Sequence, residues 1–208
     1  MQKSFALTAL FAAQLASVCE AGVRFGKHTC PEVTPVANFD VARYTGEWYE
    51  IIRDKATPFE LLAGCVIAEY GGPMEDGSIE VSNYGYTYNK GWKYAHGVGV
   101  PVGEPGTGSL AIWFDGMPEQ YRSEEPGYLV LDTDYDTYTV VYSCGSPAGI
   151  WTFDMLWILA REPQLDDEKL ESIKARIGEM LPDYNLWLNA HYTRQGDSCN
   201  YEERDDNI

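Results

Sequence analysis

The chain predicts an all-β domain of short strands followed by a single late helix. Its 208 residues hold 15 Tyr, 6 Trp and 20 Gly, and aromatics favour strands while Gly supplies turns. Runs of aromatic and β-branched residues alternate with Gly- and Pro-bearing breaks from Glu47 to Leu159, the pattern of antiparallel strands joined by turns. After Pro163 the apolar period changes to helical spacing at Leu170, Ile173 and Ile177.

In chain order, Gly46 lets the backbone turn sharply into a first strand from Glu47 to Arg53. Alternation places Trp48, Glu50 and Ile52 on one face and Tyr49 and Ile51 on the other. Residues 54–64, with Pro58 and Phe59, form a connection suited to a lid. Cys65 to Tyr70 is the second strand and Ser78 to Tyr84 the third, with Ile79, Val81 and Asn83 sharing its inward parity. Trp92 to Val102 is Gly-rich and ambiguous in its faces, and Ser109 to Phe114 puts Leu110, Ile112 and Phe114 together. Tyr128 to Asp132 and Asp136 to Ser143 flank a tight Thr133-Asp134-Tyr135 corner, and Ile150 to Leu159 is the last long strand. Asp166 and Asp167 suit the start of a helix that Pro182 ends. Leu186 to Tyr192 adds a short strand. Residues 22–37 read as an N-terminal arm and residues 200–208 as an acidic, mobile tail.

Met1 to Ala21 has the parts of a secretory signal peptide: Lys3, an apolar core from Phe5 to Leu15, and a small-residue cleavage pattern at Cys19-Glu20-Ala21. The mature chain, residues 22–208, is then one secreted domain with no stretch long enough to span a bilayer. Four of the five cysteines remain, Cys30, Cys65, Cys144 and Cys199. An even count in a secreted chain implies two disulfides, and spacing leaves all three connectivities open. A formal charge of −17 argues against nucleic acid and anionic membrane as partners.

Strand counting leaves sandwich and barrel open. Three segments decide between them: Asn38-Phe39-Asp40 leading through Gly46 to Trp48-Tyr49, Thr133-Asp134-Tyr135 before Tyr138, and Trp157-Ile158-Leu159-Ala160-Arg161. Together, in this order, they resemble the three signatures of the lipocalin family, nearest to the branch of apolipoprotein D and its bacterial and plant relatives. The resemblance implies an eight-stranded antiparallel up-and-down barrel with one C-terminal α-helix packed outside. It implies that Gly46, Trp48 and Arg161 form the barrel base, with the guanidinium stacked on the indole. It also implies that Cys30 pairs with Cys144 and Cys65 with Cys199.

The function implied is carriage of a small hydrophobic ligand, such as a fatty acid, sterol or retinoid, in the barrel. Tyr70, Tyr128, Trp157 and Asn83 match pocket positions of that branch, and Phe114 and Met155 join them by parity. Tyr hydroxyls and an Asn amide facing inward are costly in a filled core and make sense in a cavity. The 116–127 loop is longer than in that branch, and Tyr84, Tyr86, Tyr88, Trp92 and Tyr94 crowd one hairpin. Both features leave the ligand unnamed.

No enzyme activity, metal or cofactor is expected, because His28, His96 and His191 are scattered and no zinc spacing, phosphate loop or nucleophile elbow occurs. The competing reading is an isomerase or synthase using a free Cys65 thiol inside the barrel. Met117-Pro118 at a loop tip offers a second alternative, lipid-peroxide scavenging or transient membrane contact. A monomer or weak dimer is expected.

Overall fold

The computed structural model describes residues 23–25, 29–55, 57–119, 122, 125–145 and 151–204. The signal-peptide segment 1–21, the 146–149 turn and residues 205–208 of the acidic tail lie outside them. Eight antiparallel strands follow one another as neighbours: β2 (Gly46–Asp54), β3 (Gly64–Pro73), β4 (Ile79–Thr87), β5 (Gly91–Pro101), β6 (Ser109–Phe114), β7 (Tyr128–Thr133), β8 (Tyr138–Gly145) and β9 (Trp151–Ala160). β9 pairs back onto β2, from Tyr49 opposite Ala160 to Arg53 opposite Trp157, so the sheet closes into a barrel. Closure removes the exposed edges that an open sheet presents. β1 (Val23–Phe25) lies along β9, and β10 (Ala190–Tyr192) lies along the end of β2.

Three packed layers hold this arrangement. Inside the barrel, Tyr44, Trp48, Tyr70, Ile79, Val81, Leu110, Val130, Val141 and Leu159 form one core. Outside, Leu170, Ile173 and Ile177 of α2 (Asp167–Met180) pack on Val140, Tyr142, Leu156 and Ile158. The Asp166 carboxylate caps α2 by accepting from the Glu168 and Lys169 amides, which satisfies two otherwise orphaned donors. On another outer face, Tyr84 and Trp92 of the Tyr-rich hairpin pack with Cys65, Cys199 and Tyr201. The hairpin aromatics thus seat the C-terminal segment against the barrel wall.

The base is sealed by short-range chemistry. α1 (Val41–Tyr44), capped by Asp40, carries Tyr44 under the barrel, and the Trp48 indole donates to the Tyr44 carbonyl at 2.8 Å. Arg161 lies 3.7 Å from the centre of the Trp48 ring and donates to the carbonyls of Tyr135, Glu47 and Arg43. Gly46 adopts φ +90°, and a Cβ there would stand 3.4 Å from an Arg161 nitrogen. The arm is stitched to this end through Val36, which bonds Val130 and Gly108.

Disulfides join Cys30 to Cys144 and Cys65 to Cys199. The second overturns the free-thiol alternative, because a bridged Cys65 has no thiolate to offer.

Four expectations change. The face shared by Trp48, Glu50 and Ile52 breaks at a β-bulge: Glu50 opposes Leu159, yet Ile52 opposes the adjacent Ile158. The extra residue, Ile51, sends Ile52 to the outer core beneath α2 and turns Arg53 toward Glu50. β8 starts at Tyr138 and not at Asp136, because the Asp134 carboxylate accepts the amides of Asp136, Thr137 and Tyr138 and prolongs the corner. Leu186–Asn189 is a helical turn capped by Asn185, with only Ala190–Tyr192 extended. Tyr201 to Arg204, expected to be mobile, are docked: Tyr201 packs edge-on to Tyr49 and Arg204 pairs with Glu47.

Candidate functional site

The barrel holds a cavity of about 200 Å³. Its lining includes Tyr70, Asn83, Phe114, Tyr128, Met155 and Trp157, so residues from five strands meet around one space. Most of the lining arrives by parity, since β3, β4, β6, β8 and β9 turn every second side chain inward, and Tyr128 enters from the start of β7. Val66, Ala68, Val81, Ile112, Val141 and Leu159 supply the apolar walls.

At the deep end three phenols form a chain. The Tyr70 and Tyr128 oxygens are 2.6 Å apart, Tyr128 and Tyr44 are 2.9 Å apart, and Tyr44 is 3.3 Å from the Thr139 hydroxyl. Burial raises the Tyr44 phenol to about 12, although its hydrogen bonds to Thr139 and Tyr128 pull the other way. Burial likewise holds Tyr70 and Tyr128 well above the ordinary phenol value. All three are therefore neutral hydrogen-bonding groups at physiological pH.

The opposite end carries charge. Phe59 and Glu60 sit on a 3-10 turn, Pro58–Glu60, in the connection after β2, and both line the cavity. The Phe59 ring stacks over Trp157 with centroids 6.4 Å apart, and the Trp157 indole donates to Glu60 Oε2 at 3.1 Å. Behind them Arg53, 3% exposed, donates to Glu50 Oε1 at 2.8 Å, to Thr193 Oγ1, and to the carbonyls of Glu60 and Ala63. Burial, reinforced by the nearby Glu50 charge, holds the Glu60 carboxyl well above its ordinary value despite Trp157 and Arg53.

Asn83 lies on the side wall. Its Oδ1 is buried without a hydrogen-bond partner among the described residues, a costly arrangement that a polar group or water in the cavity would relieve.

Glu50, Arg53 and Glu60 were not legible as site residues. The signal was present: a Glu and an Arg three apart in one strand demand partners when both are buried. The bulge that brings them together leaves no mark in the composition.

Among the described residues, no group of three or more His, Cys, Asp or Glu is placed to hold a metal ion. Nor is any described helix long and apolar enough to cross a membrane.

A family model described as a lipocalin-like domain matches residues 39–186. Among similar proteins, apolipoprotein D of Bos taurus is 33% identical over 157 residues, covering 74% of this chain and 77% of that protein. Bilin-binding protein of Pieris brassicae is 31% identical over 169 residues, covering 80% and 82%. The solved structure of insecticyanin from Manduca sexta superposes with a TM-score of 0.67 at 20% identity, covering 86% of this chain and 91% of that one. That last likeness speaks for the fold alone. With its signatures in order, its barrel closed through β9 and β2, and its family match spanning 39–186, the chain belongs to the lipocalin family.

Proposed function

We propose that this protein is a secreted, non-enzymatic carrier that holds one small hydrophobic ligand in the barrel cavity. The observation that carries the reading is a mainly apolar cavity with a few inward polar groups, Tyr70, Tyr128 and Asn83, whose Oδ1 lacks a partner among the described residues. That is the composition of small-molecule sites, where apolar walls give affinity and sparse polar groups give orientation. A relative named for the bilin it binds supports the same reading. Two disulfides suit an oxidising, extracellular compartment, and Met1 to Ala21 reads as an export signal.

The cavity volume bears on the guest. About 200 Å³ lies below the roughly 300–1,000 Å³ of drug-sized pockets. A slender chain fits as the cavity stands, and a bulkier ligand requires Phe59 and its turn to swing aside.

Native mass spectrometry of the secreted protein tests the proposal, together with Trp emission titrations against a panel of fatty acids, sterols and retinoids. A co-purified lipid, or saturable quenching by at least one panel member, is expected. Linear, non-saturating quenching throughout the panel, with no co-purified mass, would sink the carrier reading.

A further inference from the structure

The cavity accepts hydrogen bonds and has no free positive charge to offer. Among its described lining residues two are carboxylic, Glu50 and Glu60, and none is Lys, Arg or His. The nearest cation, Arg53, is spent. Its Nη1 donates to Glu50 and Thr193, its Nη2 to the carbonyls of Glu60 and Ala63, and its Nε faces Glu60 Oε2 at 3.9 Å. Four hydrogen bonds engage Nη1 and Nη2 and Nε lies against the Glu60 carboxyl, so the guanidinium charge is already paired within the protein.

The phenol chain points the same way. With the Thr139 hydroxyl proton directed to the Asp132 carbonyl, 3.4 Å away, Thr139 accepts from Tyr44. Tyr44 then accepts from Tyr128, and Tyr128 accepts from Tyr70. Each hydroxyl has one proton, and every proton in this chain is used inside it. What remains facing the cavity at Tyr70 is oxygen lone pair. Asn83 and Ser143 are the other polar lining residues, and although each can donate as well as accept, neither carries charge.

We infer that the cavity selects an amphiphile whose polar end donates hydrogen bonds and bears no negative charge. A lipid alcohol is bound in preference to the carboxylate built on the same hydrocarbon. A carboxylate placed here gains no cation and lies near two acidic side chains, and burial of an unpaired charge is strongly unfavourable. The protein's formal charge of −17 adds a long-range penalty to its entry. A hydroxyl instead meets the Tyr70 oxygen or the orphaned Asn83 Oδ1.

This inference rests on the carrier reading and deepens it. The test is a set of matched titrations on the folded protein: all-trans-retinol against all-trans-retinoic acid, and dodecanol against dodecanoate, followed by Trp emission at pH 7.5. In whichever pair saturates, the alcohol is expected to bind at least about tenfold more tightly, an affinity difference of about 1.4 kcal/mol. Tyr70→Phe, checked for native near-UV circular dichroism, is expected to weaken the alcohol while changing the acid little. Saturable binding of an acid as tight as, or tighter than, its alcohol overturns the preference and leaves the carrier reading standing. Saturation by neither member of either pair counts against both readings, and the wider panel then decides whether carriage itself survives.

Discussion

Arg53 and Glu50, three residues apart in one strand, point the same way, and the guanidinium donates to the carboxylate at 2.8 Å with each side chain under 5% exposed. Regular alternation would set them on opposite faces. The bulge at Ile51 restores Arg53 to the side of Glu50 and so builds an ion pair beside the cavity. The same guanidinium holds the carbonyls of Glu60 and Ala63, which ties the connection over the cavity to the strand beneath it. One irregularity in the ladder therefore sets both the charge of the site and the position of its cover.

Removing one partner of this pair leaves the other charge buried. Arg53→Met is expected to destabilise the protein by about 3–5 kcal/mol, the cost typical of an orphaned buried charge. The double variant Arg53→Met/Glu50→Leu is expected to recover more than half of that loss, since it removes the stranded carboxylate as well. Urea midpoints of the wild type and the two variants check this. A double variant no more stable than the single one would show that the loss comes from the carbonyl contacts to the cover and not from the charge.

Arg161 is expected to be irreplaceable by Lys. The guanidinium covers Trp48 and reaches three carbonyls from three segments, Tyr135, Glu47 and Arg43, which a single ammonium cannot match. Arg161→Lys is expected to cost about 2–3 kcal/mol from the weakened stack and lost charge-assisted bonds. Because Trp48 lies at the base and not among the cavity-lining residues, ligand affinity should change by less than about twofold. A large affinity loss with little loss of stability would contradict that division of labour.

Much of this site was legible because alternation is a strong signal. Tyr70, Asn83, Phe114, Tyr128, Met155 and Trp157 can be assigned to an interior from parity and family likeness, and all of them line the one cavity. What escaped was set by local events that period two does not encode. The Ile51 bulge reversed Ile52, and the Asp134 carboxylate delayed β8 by capturing three amides. The acidic C-terminus looked soluble and free, yet Arg204 and Tyr201 find Glu47 and Tyr49 on the barrel surface. Long-range partners of polar residues do not show in a sequence window.

At Gly97 the backbone of β6 leaves no room for a side chain. A Cβ there would stand 2.3 Å from the Trp113 carbonyl oxygen and 2.9 Å from the Phe114 Cα, and both are backbone atoms of the paired strand β6. No rotamer relieves such a contact, so the ladder itself must move. Gly97→Ala is expected to destabilise by about 1–3 kcal/mol or more, as overpacking does. It is also expected to weaken ligand binding, because Phe114, paired opposite Gly97, lines the cavity. Gly72, with no atom within 4 Å of its added Cβ, is the control: Gly72→Ala should leave both stability and binding nearly unchanged.

Two carboxyls bend the pH dependence of stability in opposite senses. Burial and the Glu50 charge hold the folded Glu60 pKa well above its unfolded value, so the native state binds the extra proton. Its contribution is full below about pH 4.3, the ordinary Glu value, and is lost as pH rises through the raised folded pKa. Asp134 is the reverse case. Burial raises its pKa, but bonds from the Thr137 hydroxyl, the Tyr138 and Thr137 amides and Lys169 outweigh that and hold it below the usual Asp range. Its contribution is present above about pH 3.9 and fades as pH falls through the depressed value. The Asp134 effect is the smaller, since its side chain is 34% exposed and solvent screens it. Stability is therefore expected to peak in mildly acid solution and to decline as pH rises through the raised Glu60 pKa. Glu60→Gln should flatten the decline above about pH 4.3, and Asp134→Asn should flatten the fall below about pH 3.9. Urea midpoints at one-unit steps measure both limbs. An unchanged slope above about pH 4.3 in Glu60→Gln would show that some other group binds the extra proton.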